Sequence, residues 1–161
     1  MKKIYLSLGS NLGDRSANIS AALAMLADAR LRILRQSSLY ETEPRDLPHQ
    51  PWFLNLVAEA ETSLFPMMLL HRIVQIERTL GRRRRTAAKG PRLIDVDIVF
   101  YGQSVMNGPK LTVPHARMHE RRFVLEPLAE LAPEMRHPAT RRTVREMLAA
   151  VKDQNVKKVS S

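Results

Sequence analysis

The sequence contains no cysteine among its 161 residues. Disulfide cross-links, cysteine-ligated zinc sites and thiol catalysis are therefore excluded, and any metal ion must bind oxygen or imidazole ligands. No apolar run approaches the roughly 18 residues that a membrane-spanning helix needs. Residues 1–9 are also too short and too promptly ended for a secretory signal peptide. We therefore expect a cytoplasmic protein with no membrane partner.

Aromatic residues are scarce, with one tryptophan, three tyrosines and four phenylalanines. None of them lies among the four consecutive arginines at residues 82–85, so the stacking platforms that are common in single-strand binders are missing there. The composition of the whole chain, 44% hydrophobic and 26% charged, is that of a globular protein. A chain of this length fits one domain that spans residues 1–161.

Positive charge is concentrated in one segment. The net charge is +10, and residues 81–122 contribute +7 of it. This concentration favours a local anionic ligand over a uniformly basic coat. A small RNA-binding module that uses the basic segment is the main alternative.

Hydrophobic periodicity predicts the element order β-α-β-β-α-β. The predicted strands are residues 3–8, 32–42, 53–62 and 93–101, with helices ending near residues 28 and 81. Short strands at 105–106 and 111–113, helices near 123–131 and 143–151, and a frayed tail at 152–161 complete the prediction. This order predicts an α+β, ferredoxin-like fold in which two helices cover one face of an antiparallel sheet. The additional C-terminal helices then form a third layer on the other face.

Asp95 and Asp97 belong to the predicted strand at residues 93–101. Because side chains alternate across a strand, both carboxylates share one face, about 7 Å apart at Cα, while Val96 and Ile98 take the other. Two carboxylates on one face of an apolar strand repel each other unless a cation neutralises them. Mg²⁺ is the natural candidate, since it is held by one or two carboxylates together with substrate phosphates. The alternative is that both pair with arginines on a solvated sheet face.

The segment 81–91 carries four consecutive arginines that begin at Arg82. Such a loop suits the phosphates of a nucleotide, which need charge-assisted donors, and a solvated basic loop or an RNA contact is the alternative. Arg92 differs, because it is tethered between Pro91 and a strand and is better placed to hold one geometry.

Three further polar residues are candidates. Glu77, near the end of the second predicted helix, is either a solvated helical residue or an acceptor for a ligand hydroxyl. Asn55 stands in a predicted strand, where Asn is depleted, and its amide can recognise the donor and acceptor edge of a heterocycle. His115 follows a short predicted strand, with Arg121 close behind in the sequence.

Four motifs follow one another along the chain. They are Gly9-Ser10-Asn11-Leu12-Gly13, Pro51-Trp52-Phe53-Leu54-Asn55, Lys89-Gly90-Pro91-Arg92-Leu93-Ile94-Asp95-Val96-Asp97-Ile98-Val99, and Leu111-Thr112-Val113-Pro114-His115 with Arg121-x-Phe123. Together they resemble the signature of the 6-hydroxymethyl-7,8-dihydropterin pyrophosphokinase family of folate biosynthesis. The resemblance spans about residues 3–133, and four motifs in this order are far more specific than any one alone.

The resemblance implies an enzyme that transfers an intact diphosphate from ATP to the pterin hydroxymethyl group and releases AMP. It implies two Mg²⁺ ions held by Asp95 and Asp97, with Arg82 and Arg92 clamping the migrating phosphates. Other residues that match nucleotide-binding positions are Glu77, Arg84, Ile98, Lys110, Thr112, His115 and Arg121. The residues that match the pterin pocket are Thr42, Pro44, Phe53, Asn55, Asp95 and Phe123. Phe53 and Phe123 are expected to stack on the two faces of the pterin ring.

The chain departs from well-known members of the family at three positions. Lys89 and Ala116 stand where aromatic residues are usual, and Arg45 stands where an apolar residue is frequent.

A nucleotidyltransferase, suggested by Gly9-Ser10 and an Asp-x-Asp pair, is a second alternative function. In such enzymes the carboxylates follow the Gly-Ser closely, whereas here they lie about 85 residues away. From the family resemblance and the local concentration of charge, we expect small-molecule substrates, no nucleic-acid partner and a monomer.

Overall fold

A computed structural model describes residues 1–43, 51–81 and 93–159 of the chain. The strands in these ranges are β1 (Lys2–Ser10), β2 (Leu31–Gln36), β3 (Tyr40–Thr42), β4 (Phe53–Thr62), β5 (Asp95–Tyr101), β6 (Met106–Asn107), β7 (Thr112–Val113) and β8 (Val156–Lys158). The helices are α1 (Arg15–Leu26), α2 (Pro66–Thr79), α3 (Arg122–Leu131) and α4 (Val144–Ala150), with a 3₁₀ turn at Met118–Glu120.

The main sheet is antiparallel, and its strand order is β5-β1-β4-β3-β8, with β2 also paired to β4. With β2 and β3 taken as one interrupted strand, this is the strand order of the ferredoxin-like fold, so the predicted fold class is confirmed. The interruption occurs at Ser37, whose Oγ accepts the N–H of Val57 at 3.0 Å. A side-chain oxygen thus takes the place of a ladder carbonyl, and the predicted strand at 32–42 is divided in two.

Apolar side chains cover both faces of the sheet and make a three-layer structure, as predicted. Leu6 and Leu8 of β1 are fully buried in the core under α1 and α2. On the opposite face, Phe100 and Tyr5 lie in a second core under α3 and α4, with their rings edge to face at 6.2 Å. Complete burial of a side chain such as Phe100 stabilises the fold by about 1.5–3 kcal/mol. No helix in the three described ranges combines the length and apolar character needed to cross a bilayer.

A β-bulge interrupts the pairing of β5 with β1. Tyr5 pairs with Phe100, and the next residue, Leu6, pairs with Ile98, so that Val99 is the extra residue. A bulge of this kind changes which side chains of the strand point to each face. Val99 and Phe100 consequently both reach the core under α3 and α4.

The bulge places Asp95 and Asp97 on the α3 side of the sheet. Tyr101 lies in the core under α1 and α2. In a regular strand, every second residue counted back from Tyr101 would share its face, so both carboxylates would point into that core. The one extra residue of the bulge exchanges the faces. With the bulge, Val96 and Ile98 occupy the core instead. The carboxylates are left partly exposed.

The C-terminal segment is not a frayed tail, and that prediction was wrong for the residues of β8. Thr42 of β3 pairs with Val156, and Tyr40 pairs with Lys158, in an antiparallel ladder. Three residues with two lysines carry no detectable periodicity, so the strand is recognisable only from its pairing with β3.

Glu59 joins the sheet to α3. It is 5% exposed, accepts the Tyr5 hydroxyl at 2.5 Å, and accepts two guanidinium hydrogens of Arg35 at 3.1 and 3.0 Å. Arg35 also donates to the Leu131 carbonyl at the end of α3, at 2.9 Å. The hydrogen bonds from Arg35, and then that from Tyr5, hold the pKa of Glu59 below its ordinary value despite its burial.

Glu59→Gln is expected to lower the free energy of unfolding at pH 7 by about 1.5–3 kcal/mol, the range for hydrogen bonds to a charged group. Because the folded-state pKa is depressed, the contribution of Glu59 is complete above its ordinary pKa of 4.5 and is lost as pH falls through the lower folded value. Urea denaturation at several pH values should show the difference between wild type and variant shrinking in acid. The control is Glu134→Gln, which removes the exposed ion pair of Glu134 with Arg145. Because the Glu134 side chain is 70% exposed, this change should alter stability little. A pH-independent difference for Glu59→Gln would contradict this account.

Candidate active site

Three residues on neighbouring strands form one row across the sheet. Gly9 of β1 pairs with Asp95 of β5 on one side and with Asn55 of β4 on the other. Adjacent strands are about 4.8 Å apart, so the carboxylate and the amide share a face about 10 Å apart at Cα, with the glycine between them. In the next row, Ser7 separates Asp97 from Val57.

Gly9 is glycine for reasons of space, because its φ lies outside the left-handed region. A Cβ built on Gly9 would overlap Oδ1 of Asn55 and lie 3.6 Å from Cδ1 of Phe53. The absence of a side chain at Gly9 therefore leaves room for the Asn55 amide on this face of the sheet. The sequence marks Gly9 only as part of a motif, and this role becomes visible only from the strand pairing.

Thr42 and Asn55 are linked by a buried hydrogen bond. Nδ2 of Asn55 donates to Oγ1 of Thr42 at 2.8 Å, and the two residues are 3% and 1% exposed respectively. This bond fixes the amide so that its oxygen faces Gly9. Phe53 pairs with Thr42 in the ladder, so three of the residues predicted for a pterin pocket lie together.

Phe123 belongs to a different element, since it is the second residue of α3. Its ring lies 5.5 Å from the Arg121 guanidinium, a cation–π distance. Phe123 packs against the core under α3 and α4, on the same side of the sheet as Asn55.

Asp97 faces two basic side chains. Its Oδ2 lies 3.7 Å from Nη1 of Arg121 and 4.0 Å from Nε2 of His115, and its side chain is 33% exposed. Both distances are longer than a hydrogen bond, and about a third of the Asp97 side chain is exposed. The described ranges contain no cluster of three or more His, Cys, Asp or Glu side chains suited to a metal. Two partly exposed carboxylates fit Mg²⁺, whose remaining ligands are usually substrate phosphates and water.

His115 is a neutral donor at physiological pH. Burial, and then the charge of Arg121, lower the pKa of its imidazole to about 4. Nδ1 accepts the Arg117 N–H at 3.1 Å, so the neutral ring carries its proton on Nε2, the atom that faces Asp97. The ring can donate a hydrogen bond there, but it does not exchange a proton near pH 7.

Glu77 is not a solvated helical residue. It is 5% exposed, and its Oε2 accepts the N–H of Val96 at 3.0 Å. This N–H belongs to the residue between the two aspartates. Glu77 therefore supports the backbone of β5 from the α2 side, and its predicted contact with a nucleotide stays a prediction.

A cavity of about 230 Å³ opens beside β5. It is lined by Leu70, Ile73, Val96, Asp97, Ile98, Lys110, Leu111, Thr112, His115 and Ala116. Four residues predicted to bind a nucleotide, Ile98, Lys110, Thr112 and His115, thus share one cavity that reaches Asp97. Its volume is below the roughly 300–1,000 Å³ of whole-ligand pockets, so it suits a single heterocyclic base.

Some predicted positions lie outside the described residues. They are Pro44, Arg45, Arg82, Arg84, Lys89 and Arg92. The four binding or catalytic roles predicted for Pro44, Arg82, Arg84 and Arg92 remain predictions from the sequence.

The model of the 7,8-dihydro-6-hydroxymethylpterin-pyrophosphokinase (HPPK) family matches residues 5–133. The chain belongs to the HPPK family. It is 39% identical over 160 residues to the 2-amino-4-hydroxy-6-hydroxymethyldihydropteridine pyrophosphokinase of Methylorubrum extorquens, and the match covers 99% of both chains. It is 44% identical over 161 residues to the folic acid synthesis protein fol1 of Schizosaccharomyces pombe, covering 99% of this chain and 22% of that protein. The chain thus spans about a fifth of the length of the fungal proteins that it matches.

Solved structures support the fold of the chain. The Plasmodium falciparum HPPK-DHPS structure with pteroate aligns with a TM-score of 0.74 at 17% identity, covering 92% of this chain and 44% of that one. At this identity the likeness concerns the fold, and it agrees with the strand order seen here.

Gly9→Ala is expected to lower the free energy of unfolding by about 1–3 kcal/mol, because the added methyl group overpacks against the Asn55 amide. The measurement is urea denaturation of the single variant and of Gly9→Ala in an Asn55→Ala background. Removing the amide makes room for the methyl group, so the two substitutions should couple by about 1 kcal/mol. The same cost in both backgrounds would show that the close approach is not the reason for glycine.

Proposed function

We propose that this protein transfers the β,γ-diphosphate of ATP to the hydroxymethyl group of 6-hydroxymethyl-7,8-dihydropterin, giving AMP and the pterin diphosphate for folate biosynthesis. Family membership supports the class of activity. The observation that carries the proposal is the row Asp95–Gly9–Asn55, which places one of the two paired carboxylates and the Asn55 amide on one sheet face.

The pterin is proposed to lie over Gly9. Asn55 and Thr42 are fixed by their mutual hydrogen bond, so the amide oxygen is oriented before any ligand arrives. A preoriented group binds with little loss of side-chain entropy. Phe53 and Phe123, on two different elements, supply the aromatic surfaces for stacking, and the hydroxymethyl group then points along the row toward Asp95.

The nucleotide is proposed to place its base in the cavity beside β5 and its phosphates over Asp95 and Asp97. Lys110 and Thr112 line the cavity and supply a positive charge and a hydroxyl. Arg121 and the neutral His115 face Asp97 from 3.7 and 4.0 Å and can donate to phosphate oxygens. Phosphoryl transfer needs positioning and charge neutralisation more than covalent help, and these residues are arranged for both.

Asp95 and Asp97 would hold Mg²⁺, which supplies neutralisation of the phosphates and polarises oxygen atoms bound to it. In the proposed reaction the hydroxymethyl oxygen forms a bond to the β-phosphorus as the bond from that phosphorus to the α,β-bridging oxygen breaks. AMP leaves with the bridging oxygen, and the hydroxyl proton passes to solvent. His115 is not the base, since its pKa of about 4 makes it a weak proton acceptor.

Product analysis tests the reaction. Incubation with ATP, Mg²⁺ and 6-hydroxymethyl-7,8-dihydropterin should yield AMP and the pterin diphosphate in equal amounts, as measured by chromatography. A reaction without the pterin is the control for simple hydrolysis. Formation of ADP, or of AMP independent of the pterin, would refute diphosphate transfer.

Asp97→Asn is expected to reduce kcat at least about a hundredfold, a loss comparable to removal of one preorganised electrostatic group, while the fold stays intact because the side chain is partly exposed. Activity and thermal unfolding are measured together, with Glu134→Gln as the matched loss of an exposed carboxylate that has no proposed role in either pocket. Isothermal titration should show weaker binding of Mg²⁺-nucleotide to the Asp97 variant. Normal turnover by Asp97→Asn would overturn the role of this carboxylate.

A further inference from the structure

The C-terminal segment contacts both sides of the proposed pterin pocket. On one side β8 pairs with β3, and Val156 stands opposite Thr42. On the other side Nη1 of Arg122 donates to the Val151 carbonyl at 2.5 Å, and Arg122 directly precedes Phe123 in α3. Residues 151–158 therefore bridge the two elements that carry Thr42 and Phe123.

This segment is packed and not merely adjacent. Val151 is 8% exposed and Gln154 is 6% exposed. Both lie beyond residue 133, where the match to the family model ends. The contribution of this segment is therefore not given by the motifs that identify the family.

Glu43 and Asn155 form a pair at the end of the β3–β8 ladder. The Asn155 N–H donates to Oε1 of Glu43 at 3.0 Å, and its Nδ2 donates to Oε2 at 3.4 Å. The Glu43 N–H donates in return to the Asn155 carbonyl at 3.3 Å. Three hydrogen bonds thus hold the residue that follows Thr42.

A strand as short as β3 has little stability of its own, because three residues offer few ladder bonds. β4 pairs with it on one edge through Thr42 and Phe53, and β8 pairs with it on the other. Any movement of β3 relative to β4 would change the bond between Thr42 and Asn55 and so the orientation of the amide. The position of Thr42 therefore depends on β8 and on the Glu43–Asn155 pair.

We propose that Asn155 is a positioning residue for the pterin, acting through Glu43 and β3 on Thr42 and Asn55. The inference rests on the proposed function, because it assigns the pterin to this pocket. The hydrogen bonds of Asn155 join it to Glu43, and Asn155 is not among the described residues that line the cavity beside β5, so its effect falls on the pterin and not on the nucleotide.

The test compares steady-state kinetics of four full-length proteins. Asn155→Asp places a second carboxylate against that of Glu43 and replaces attraction by repulsion. The double variant Asn155→Asp, Glu43→Gln exchanges the amide and the carboxylate and restores the pairing. Lys152→Ala alters an exposed residue of the same segment and is the matched control, together with wild type.

Asn155→Asp should raise KM for the pterin about three- to tenfold, the effect of losing one or two hydrogen bonds that hold the pocket wall. KM for ATP should change less than about twofold, and the double variant should regain most of the lost pterin affinity. Lys152→Ala should match wild type. Asn155→Ala, which adds no charge, provides a second variant if the aspartate variant does not fold, and should raise KM for the pterin about two- to threefold.

Hydrogen exchange of the backbone amides in residues 40–43 verifies that the pairing is broken. Faster exchange there with an unchanged KM for the pterin would overturn the inference, as would equal rises in both KM values or no rescue by the double variant. Absence of pterin-dependent AMP formation by wild type would instead overturn the proposed function, and this inference with it.

Discussion

The β-bulge at Val99 is the constraint on which the site depends, because it couples the packing of the protein to the orientation of its two aspartates. Phe100 and Tyr101 must fill cores on opposite faces of the sheet, and Val96 and Ile98 must fill the core under α1 and α2. A regular strand cannot satisfy both demands, since alternate residues share a face. The extra residue reconciles them, and the same register shift brings the carboxylates to the face that carries Asn55.

Two buried carboxylates support this arrangement from opposite faces. Glu59 joins β1, β2 and α3 on the side of the site, and Glu77 accepts a backbone N–H of β5 from the side of α2. Burial of a carboxylate is costly unless its oxygens are hydrogen-bonded. The donors that meet this requirement come from elements distant in sequence, so the two glutamates fix the relative positions of strands and helices around Asp95 and Asp97.

The sequence predicted most of the fold, because the period-two strands and amphipathic helices carry strong local signals. It also predicted that Asp95 and Asp97 share a face, which follows from alternation alone. It could not show which face, because the continuous apolar run around Val99 hides the bulge. The burial of Glu77, the spatial need for Gly9 and the existence of β8 were likewise out of reach, since each depends on pairing between strands or helices far apart in the chain.

The two ends of β1 lie far apart on the sheet. Gly9, in the row of the site, lies near its C-terminal end, while Lys2 lies at the other end, about 23 Å away at the rise of a strand. A fluorophore attached to the exposed Lys2 is therefore held well clear of the row Asp95–Gly9–Asn55.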